Sequence, residues 1–202
     1  MSKGILYVFS APSGCGKGTV LNELFKRLPD IHYSVSATTR APRDGEVDGK
    51  SYYFITKDEF NNLIKTNGML EYASFCGNYY GTPKKKIMEC LENGQDVILE
   101  IETAGAMMVK AVHPEAVLIF MLPPSVEELK SRLIGRGTED MDTILRRVGE
   151  ASREIQLSRN YDFVFVNDKL DEAVDTLTGI IKYSKNLTGN NIDLIKGVLE
   201  QC

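Results

Sequence analysis

Histidine is scarce in this 202-residue sequence: only His32 and His113 occur, far apart in the chain. A zinc site or a histidine-based nucleophile relay has too little material here. Cysteine is sparse as well. Cys15, Cys76, Cys90 and Cys202 show neither paired C-x-x-C spacing nor disulfide density, which points to reduced thiols in a reducing compartment. Long apolar runs are missing. The first one ends at Ser10, too short for the hydrophobic region of a signal sequence, and no later run approaches membrane-spanning length. A cytoplasmic location without a membrane partner is therefore expected. A basic excess is also missing: 24 Lys and Arg against 28 Asp and Glu leave a net charge of -4. That excludes a general nucleic-acid binder, which needs a basic face to neutralise many phosphates. Any anion site must be local.

With 43% hydrophobic and 26% charged residues, the chain can bury an ordinary core as one domain with insertions. Apolar strands alternate with helical patterns, the signature of an α/β fold with a mostly parallel sheet and helices on both faces. The expected strands are Leu6 to Ser10, Tyr33 to Ser36, Val97 to Ile101, Val117 to Leu122 and Phe163 to Val166. Ser125 with Glu128 predicts a capping box opening a helix. A long helix follows from about Asp142, carrying Ile144, Leu145, Val148, Ala151 and Ile155 on one face. A last core helix presents Ala173, Val174, Leu177, Ile180 and Ile181. Between Thr38 and Gly94 the pattern changes to turns, short aromatic strands and one helix capped by Thr56 and Glu59, which reads as a small mixed insert. After Gly189, Ile192, Leu194, Ile195, Val198 and Leu199 are weakly amphipathic and predict a surface helix.

The sharpest signal is Ser10 to Thr19, S-A-P-S-G-C-G-K-G-T, between an apolar strand and the helical series Val20, Leu21, Leu24, Phe25, Leu28. Strand, glycine-rich loop and helix start form the setting of a phosphate-binding loop. Gly14, Gly16 and Gly18 let successive N–H groups point inward, the helix N-terminus adds its dipole, and Lys17 supplies a point charge for the outer phosphates. Ala11 stands where the G-x-x-x-x-G-K-[ST] pattern has its first glycine. Gly18 stands where a magnesium-binding hydroxyl is expected, with Thr19 one place later. Cys15 sits where a helix N-terminus can favour thiol ionisation, although the loop geometry itself demands only a small side chain there.

Further along, Arg40 and Arg43 flank a Pro42-stiffened turn and can converge on one anion, since guanidinium forks suit phosphate. Two solvated surface arginines beside a turn would look the same. Arg132 and Arg136 lie four apart on one helical face, and Arg146 and Arg147 begin the charged side of the next helix. That arrangement suits a mobile helical hairpin and equally a solvated basic face.

The stretch S-x-T-T-R-x-P-R-x-G-E-x-x-G-x-x-Y from Ser36 resembles the guanylate kinase family of P-loop nucleoside-monophosphate kinases. So do G-N-Y-Y-G-T from Gly77, L-P-P-S from Leu122, G-R-G-T-E from Gly135 and V-N-D from Val166. The resemblance runs from about Lys3 to Ser184. It implies a three-layer P-loop NTPase-type parallel sheet with core 3–35, 95–131 and 158–184, a GMP-binding insert 36–94, a helical lid 132–157 and a tail 185–202. Arg40, Arg43, Tyr52 and Tyr80 would hold the GMP phosphate, with Glu46 in the same site, while Ser36, Glu71, Thr82 and Glu102 would read guanine. The chemistry agrees, because guanine offers N1–H and its N2 amine side by side to a carboxylate such as Glu71, and a hydroxyl at Thr82 or Ser36 could donate to O6. Outside that context Glu71 reads as an exposed carboxylate after Met69-Leu70.

The resemblance further implies ATP as co-substrate on Ala11, Pro12, Ser13, Gly14, Cys15, Gly16, Lys17, Gly18 and Thr19, with Asn167 at the adenine edge. Lys17, Arg132, Arg136 and Arg147 would carry catalysis. Magnesium would be held by Thr19 and by Glu100, partly through water. Glu100 and Glu102 replace the family's usual aspartates, and Ala104 stands where Gln is common. The implied activity is phosphorylation of GMP and dGMP to the diphosphates within purine metabolism and GMP recycling. The competing reading is a catalytically inactive, phosphopeptide-binding module, which usually lacks the loop lysine or the lid arginines. Monomer and homodimer both stay open.

Overall fold

The apolar run ahead of the glycines forms β1 (Leu6–Ser10), buried along its whole length, as a strand covered on both faces must be. The chain then turns through Ala11 to Gly16 into α1 (Lys17–Arg27), whose Val20, Leu21 and Leu24 are buried at i, i+1, i+4 spacing. The structure is a computed structural model that describes residues 3–135, 137 and 140–200. Arg136, one of the expected catalytic arginines, lies outside the described residues, as does Cys202. Contacts divide the chain into two units, Lys3–Val8 with Ile31–Ala116 and Phe9–Asp30 with Val117 onward. The division falls within β1.

The first unit continues with β2 (His32–Tyr33), β3 (Ala37–Thr38), β4 (Tyr53–Phe54), α2 (Lys57–Lys65), β5 (Met69–Phe75), β6 (Asn78–Pro83), α3 (Lys84–Glu92), β7 (Val97–Glu100) and α4 (Thr103–Val112). β2 runs parallel to β7 with His32 opposite Val97. The expected strand Tyr33 to Ser36 is corrected by this pairing. The regular strand ends at Tyr33 because the next residues leave for a second, mixed sheet, where Ala37 pairs with both Tyr53 and Gly81. That sheet has the order β4-β3-β6-β5. Its hydrophobic side closes on Ala37, Phe60 and Met69, with Ile55, Leu63, Ile64 and Tyr79 against them. The Phe60 and Tyr79 rings stack at 5.4 Å. α2 carries the complete capping box of Thr56 and Glu59, as the sequence predicts.

The second unit adds β8 (Val117–Leu122), α5 (Val126–Gly135), α6 (Met141–Leu157), β9 (Phe163–Val166), α7 (Leu170–Ser184) and α8 (Ile192–Leu199). β8 and β9 run parallel from Ile119 opposite Phe163 to Leu122 opposite Val166. The five-stranded sheet has the order β2-β7-β1-β8-β9. α5 and α6 meet through Leu129, Leu133, Ile144 and Ala151. The capping box before α5 is half built: Ser125 Oγ accepts the Glu128 N–H at 3.0 Å, while the Glu128 carboxylate accepts from Arg132 Nε at 2.9 Å. α1 packs on α7, and Arg27 donates to Asp175. α8 buries none of its residues, in line with a surface helix. No helix among the described residues is long and apolar enough to cross a membrane.

Candidate nucleotide sites

In the second unit, the loop after β1 is shaped by two glycines in the left-handed region, Gly14 at φ +92° and Gly16 at φ +88°. A Cβ on Gly14 would come within 2.7 Å of Leu133 Cδ2, and one on Gly16 within 3.0 Å of Asn167 Nδ2. Conformation and space both demand glycine there. Gly16 is the N-cap of α1 and supplies no side-chain cap, so the first-turn N–H groups are left to an external acceptor, the arrangement that suits an anion. Lys17 Nζ donates to Ala11 O at 2.7 Å, folding the ammonium back over the loop. A Cβ at Gly18 would meet no atom within 4 Å. The hydroxyl missing from that position is therefore not excluded by space. Thr19 beside it is exposed.

The Asn167 side chain is buried, and its Nδ2 donates to Cys15 O at 2.8 Å, so the amide braces the phosphate loop. Its main-chain carbonyl accepts from Arg132 Nη1 at 3.2 Å. Cys15 is fully buried, with Sγ 3.7 Å from Met121 O. Burial pushes its thiol up to about 11, against the smaller lowering by Lys17 and Arg132, so desolvation overrides the helix N-terminus and thiol ionisation is not favoured. Arg147 Nη1 lies 3.3 Å from Ser13 Oγ, which brings a lid arginine onto the loop, while Arg132 is held by Glu128 and Asn167.

In the first unit, a cavity of about 310 Å³ is lined by Ser36, Arg40, Arg43, Tyr52, Glu71, Tyr80, Glu100 and Glu102 together with Ala73, Phe75, Ile101, Ala104 and Gly105. Residues from separate stretches of the chain meet in it. Arg40 is held as a fork: its Nη1 and Nη2 donate to the two oxygens of Glu46 at 2.9 and 2.8 Å. Its guanidinium lies 5.5 Å from the centre of the Tyr52 ring. Glu46 Oε2 also accepts the Arg43 N–H at 2.7 Å. Hydrogen bonding from Arg40 holds the Glu46 carboxyl down to about 2. Glu46 is not among the lining residues. Its two carboxylate oxygens orient the Arg40 guanidinium.

Glu71 is buried, and Thr82 Oγ1 donates to its Oε1 at 2.5 Å. Desolvation raises its carboxyl above the usual range, the Thr82 hydrogen bond opposes this, and the Glu102 charge adds to it. Thr82 is not among the lining residues; its hydroxyl donates to the Glu71 carboxylate. Ser36 lines the same cavity as Glu71. Glu100 accepts from Tyr33 OH at 3.1 Å and lines this cavity. Gly105, Ala73, Phe75 and Ile101 line the cavity without being revealed by the motifs, and Tyr33 reaches it through Glu100. The one available signal is Gly105, a glycine inside a helical pattern, which often marks a close approach.

Thus one unit offers a main-chain anion cradle with a lysine, and the other a cavity with a pre-oriented arginine fork and a buried carboxylate. Among the described residues no cluster of three or more metal-ligating side chains occurs. A magnesium ion bound largely by substrate phosphates and water needs only one or two protein oxygens. The exposed Thr19 hydroxyl in one unit and the Glu100 carboxylate in the other are each oxygens of that kind. The guanylate kinase family model matches residues 3–184. A guanylate kinase of Oceanobacillus iheyensis is 54% identical over 180 residues, covering 89% of this chain and 87% of that one. A guanylate kinase of Clostridium acetobutylicum is 48% identical over 203 residues, covering 98% and 97%. The crystal structure of guanylate kinase from Anaplasma phagocytophilum matches with a TM-score of 0.72 at 36% identity, covering 90% of this chain and 86% of that one.

Proposed function

The chain belongs to the guanylate kinase family, and from that premise we propose how its residues divide the work. It transfers the γ-phosphoryl group of ATP to GMP, giving ADP and GDP. The same reaction on dGMP, a place in purine nucleotide metabolism and GMP recycling, and a cytoplasmic location without nucleic-acid or membrane partners complete the proposal. A functional division into core, GMP-binding insert 36–94 and lid 132–157 goes with it.

On the donor side, the amides of Ala11 to Thr19 and the Lys17 ammonium hold the ATP phosphates. Arg132 and Arg147 neutralise charge on the group in transfer, as would Arg136, which lies outside the described residues. On the acceptor side, Arg40 and Arg43 with Tyr52 and Tyr80 hold the GMP phosphate, while Glu71 and Ser36 face the guanine edge and Glu102 stands beside them. Glu46 and Thr82 act behind these residues, on Arg40 and Glu71. A GMP phosphate oxygen forms the new bond to the γ-phosphorus as the bond to the β-bridging oxygen breaks. The attacking oxygen is already ionised, so no general base is needed and the scarcity of histidine is no obstacle. Magnesium, with Thr19 and Glu100 as its protein oxygens, would offset charge on the β- and γ-phosphates.

The observation that carries this reading is the cavity itself, with Arg40 pre-oriented by Glu46 in the same chamber as the buried carboxylate of Glu71. The phosphopeptide-binding alternative has no feature in its favour, because Lys17, Arg40, Arg43, Arg132 and Arg147 are all present. Coupled measurement of ADP release with GMP, AMP, CMP and UMP in parallel tests it. GMP should exceed AMP by roughly 10⁴ in kcat/KM, since a buried acceptor pair left unmatched penalises the wrong base. Comparable rates with AMP would refute the assignment of Glu71.

A further inference from the structure

Six described glycines lie inside α-helices, at positions 18, 105, 135, 149, 179 and 197. For four of them an added Cβ would meet nothing within 4 Å, and at Gly179 it would make only ordinary contact with Tyr183. Gly105, in the first turn of α4, is different. A Cβ there would lie 2.8 Å from Glu71 Oε2, 3.1 Å from Cδ and 3.3 Å from Cγ. Its backbone is not left-handed, so alanine could adopt the conformation and would favour the helix by roughly 1 kcal/mol. What glycine supplies at this position is space for one carboxylate. Thr82 grips the opposite oxygen of that carboxylate at 2.5 Å, so Glu71 is held from two sides.

We infer that Gly105 is a specificity-determining positioning residue: its missing Cβ sets the depth at which the Glu71 carboxylate stands in the acceptor cavity. The inference rests on Glu71 reading guanine. The atom in conflict is the far end of a side chain, not main chain. An alanine therefore pushes the carboxylate away while leaving α4 intact, and recognition of the acceptor suffers more than folding does.

A double-mutant cycle tests it. Gly105→Ala should raise KM for GMP about tenfold, with KM for ATP within about twofold of the parent. In a Glu71→Asp background, where the shorter arm no longer reaches position 105, the same change should alter KM for GMP by less than about twofold. An unchanged KM in Gly105→Ala, or the same factor in both backgrounds, would overturn the inference. If Gly105→Ala alone fails to fold but folds when combined with Glu71→Asp, the conflict is at the carboxylate as inferred; failure to fold in both backgrounds overturns it. Glu71→Gln separates the two levels. Unchanged discrimination between GMP and AMP in that variant would remove the guanine-reading role of Glu71, whatever Gly105 does.

Discussion

The phosphate loop and the acceptor cavity are built by opposite means. The loop uses main chain: a consecutive run from Ala11 to Thr19, two glycines at positive φ, one lysine folded onto Ala11 O at 2.7 Å. The cavity uses side chains drawn from Ser36 to Gly105, and each important one is held by a second residue. Glu46 holds Arg40, Thr82 and Gly105 hold Glu71, and Tyr33 holds Glu100. A main-chain site is rigid because its conformation is local. A side-chain site becomes rigid only when partners remove the rotamer freedom of long arms, which otherwise costs up to about 2 kcal/mol per residue.

The comparison breaks hardest at Lys17. Removing a single well-aimed cation from a main-chain cradle leaves no second cation in the loop, so Lys17→Ala should lower kcat by about 10² or more. The variant should keep its melting temperature and its affinity for GMP, measured by a coupled assay and calorimetry. A loss of only a few-fold would move the charge neutralisation elsewhere. On the side-chain site the corresponding test is Glu46→Ala, which removes no group from the cavity but frees Arg40. KM for GMP should rise about tenfold with KM for ATP unchanged. No change in KM for GMP would mean that the fork contributes nothing to substrate binding.

Asn167→Ala sharpens the contrast on the donor side. A residue that braces the loop should weaken ATP and GTP alike, by about three- to tenfold. A reader of adenine would instead narrow the gap between them. Parallel inhibition curves with the two nucleotides decide which. The smallest effect concerns Glu71 and pH. Its folded carboxyl is raised by burial, so the unfolded chain gives up this proton first and stability falls as pH climbs from the ordinary carboxylate range through the raised value. Glu71→Gln should therefore melt about 2–4 °C higher than the parent at neutral pH. That gain should vanish in acid below the ordinary carboxylate range, and a gain that persists there would have another origin.

How much of this can be read from the residues alone follows the same line. β1, β8, β9, the helix capped by Thr56 and the long helix expected from about Asp142 are legible because continuous apolar runs, helical periodicity and the Thr56 cap act over a few positions. The strand after Ile31 is not, because two sheets compete for residues 32–38, and only pairing partners distant in sequence decide where the chain crosses. Arg40, Arg43 and Glu71 can be named through motif resemblance, but the motif does not reveal that Glu46 grips Arg40 or that Thr82 donates to Glu71. A motif shows which residues occur together, not which of them hydrogen-bond.

From its own order of residues the chain determined the strand, the glycine spacing and the lysine of the phosphate loop, since those depend on local φ, ψ and short-range hydrogen bonds. Tertiary structure alone decided that Asn167 turns inward to Cys15, that the Cys15 thiol is buried and held protonated, and that Gly105 must lack a side chain beside Glu71. Those outcomes depend on desolvation and on distances between residues dozens of positions apart, and no local pattern encodes either.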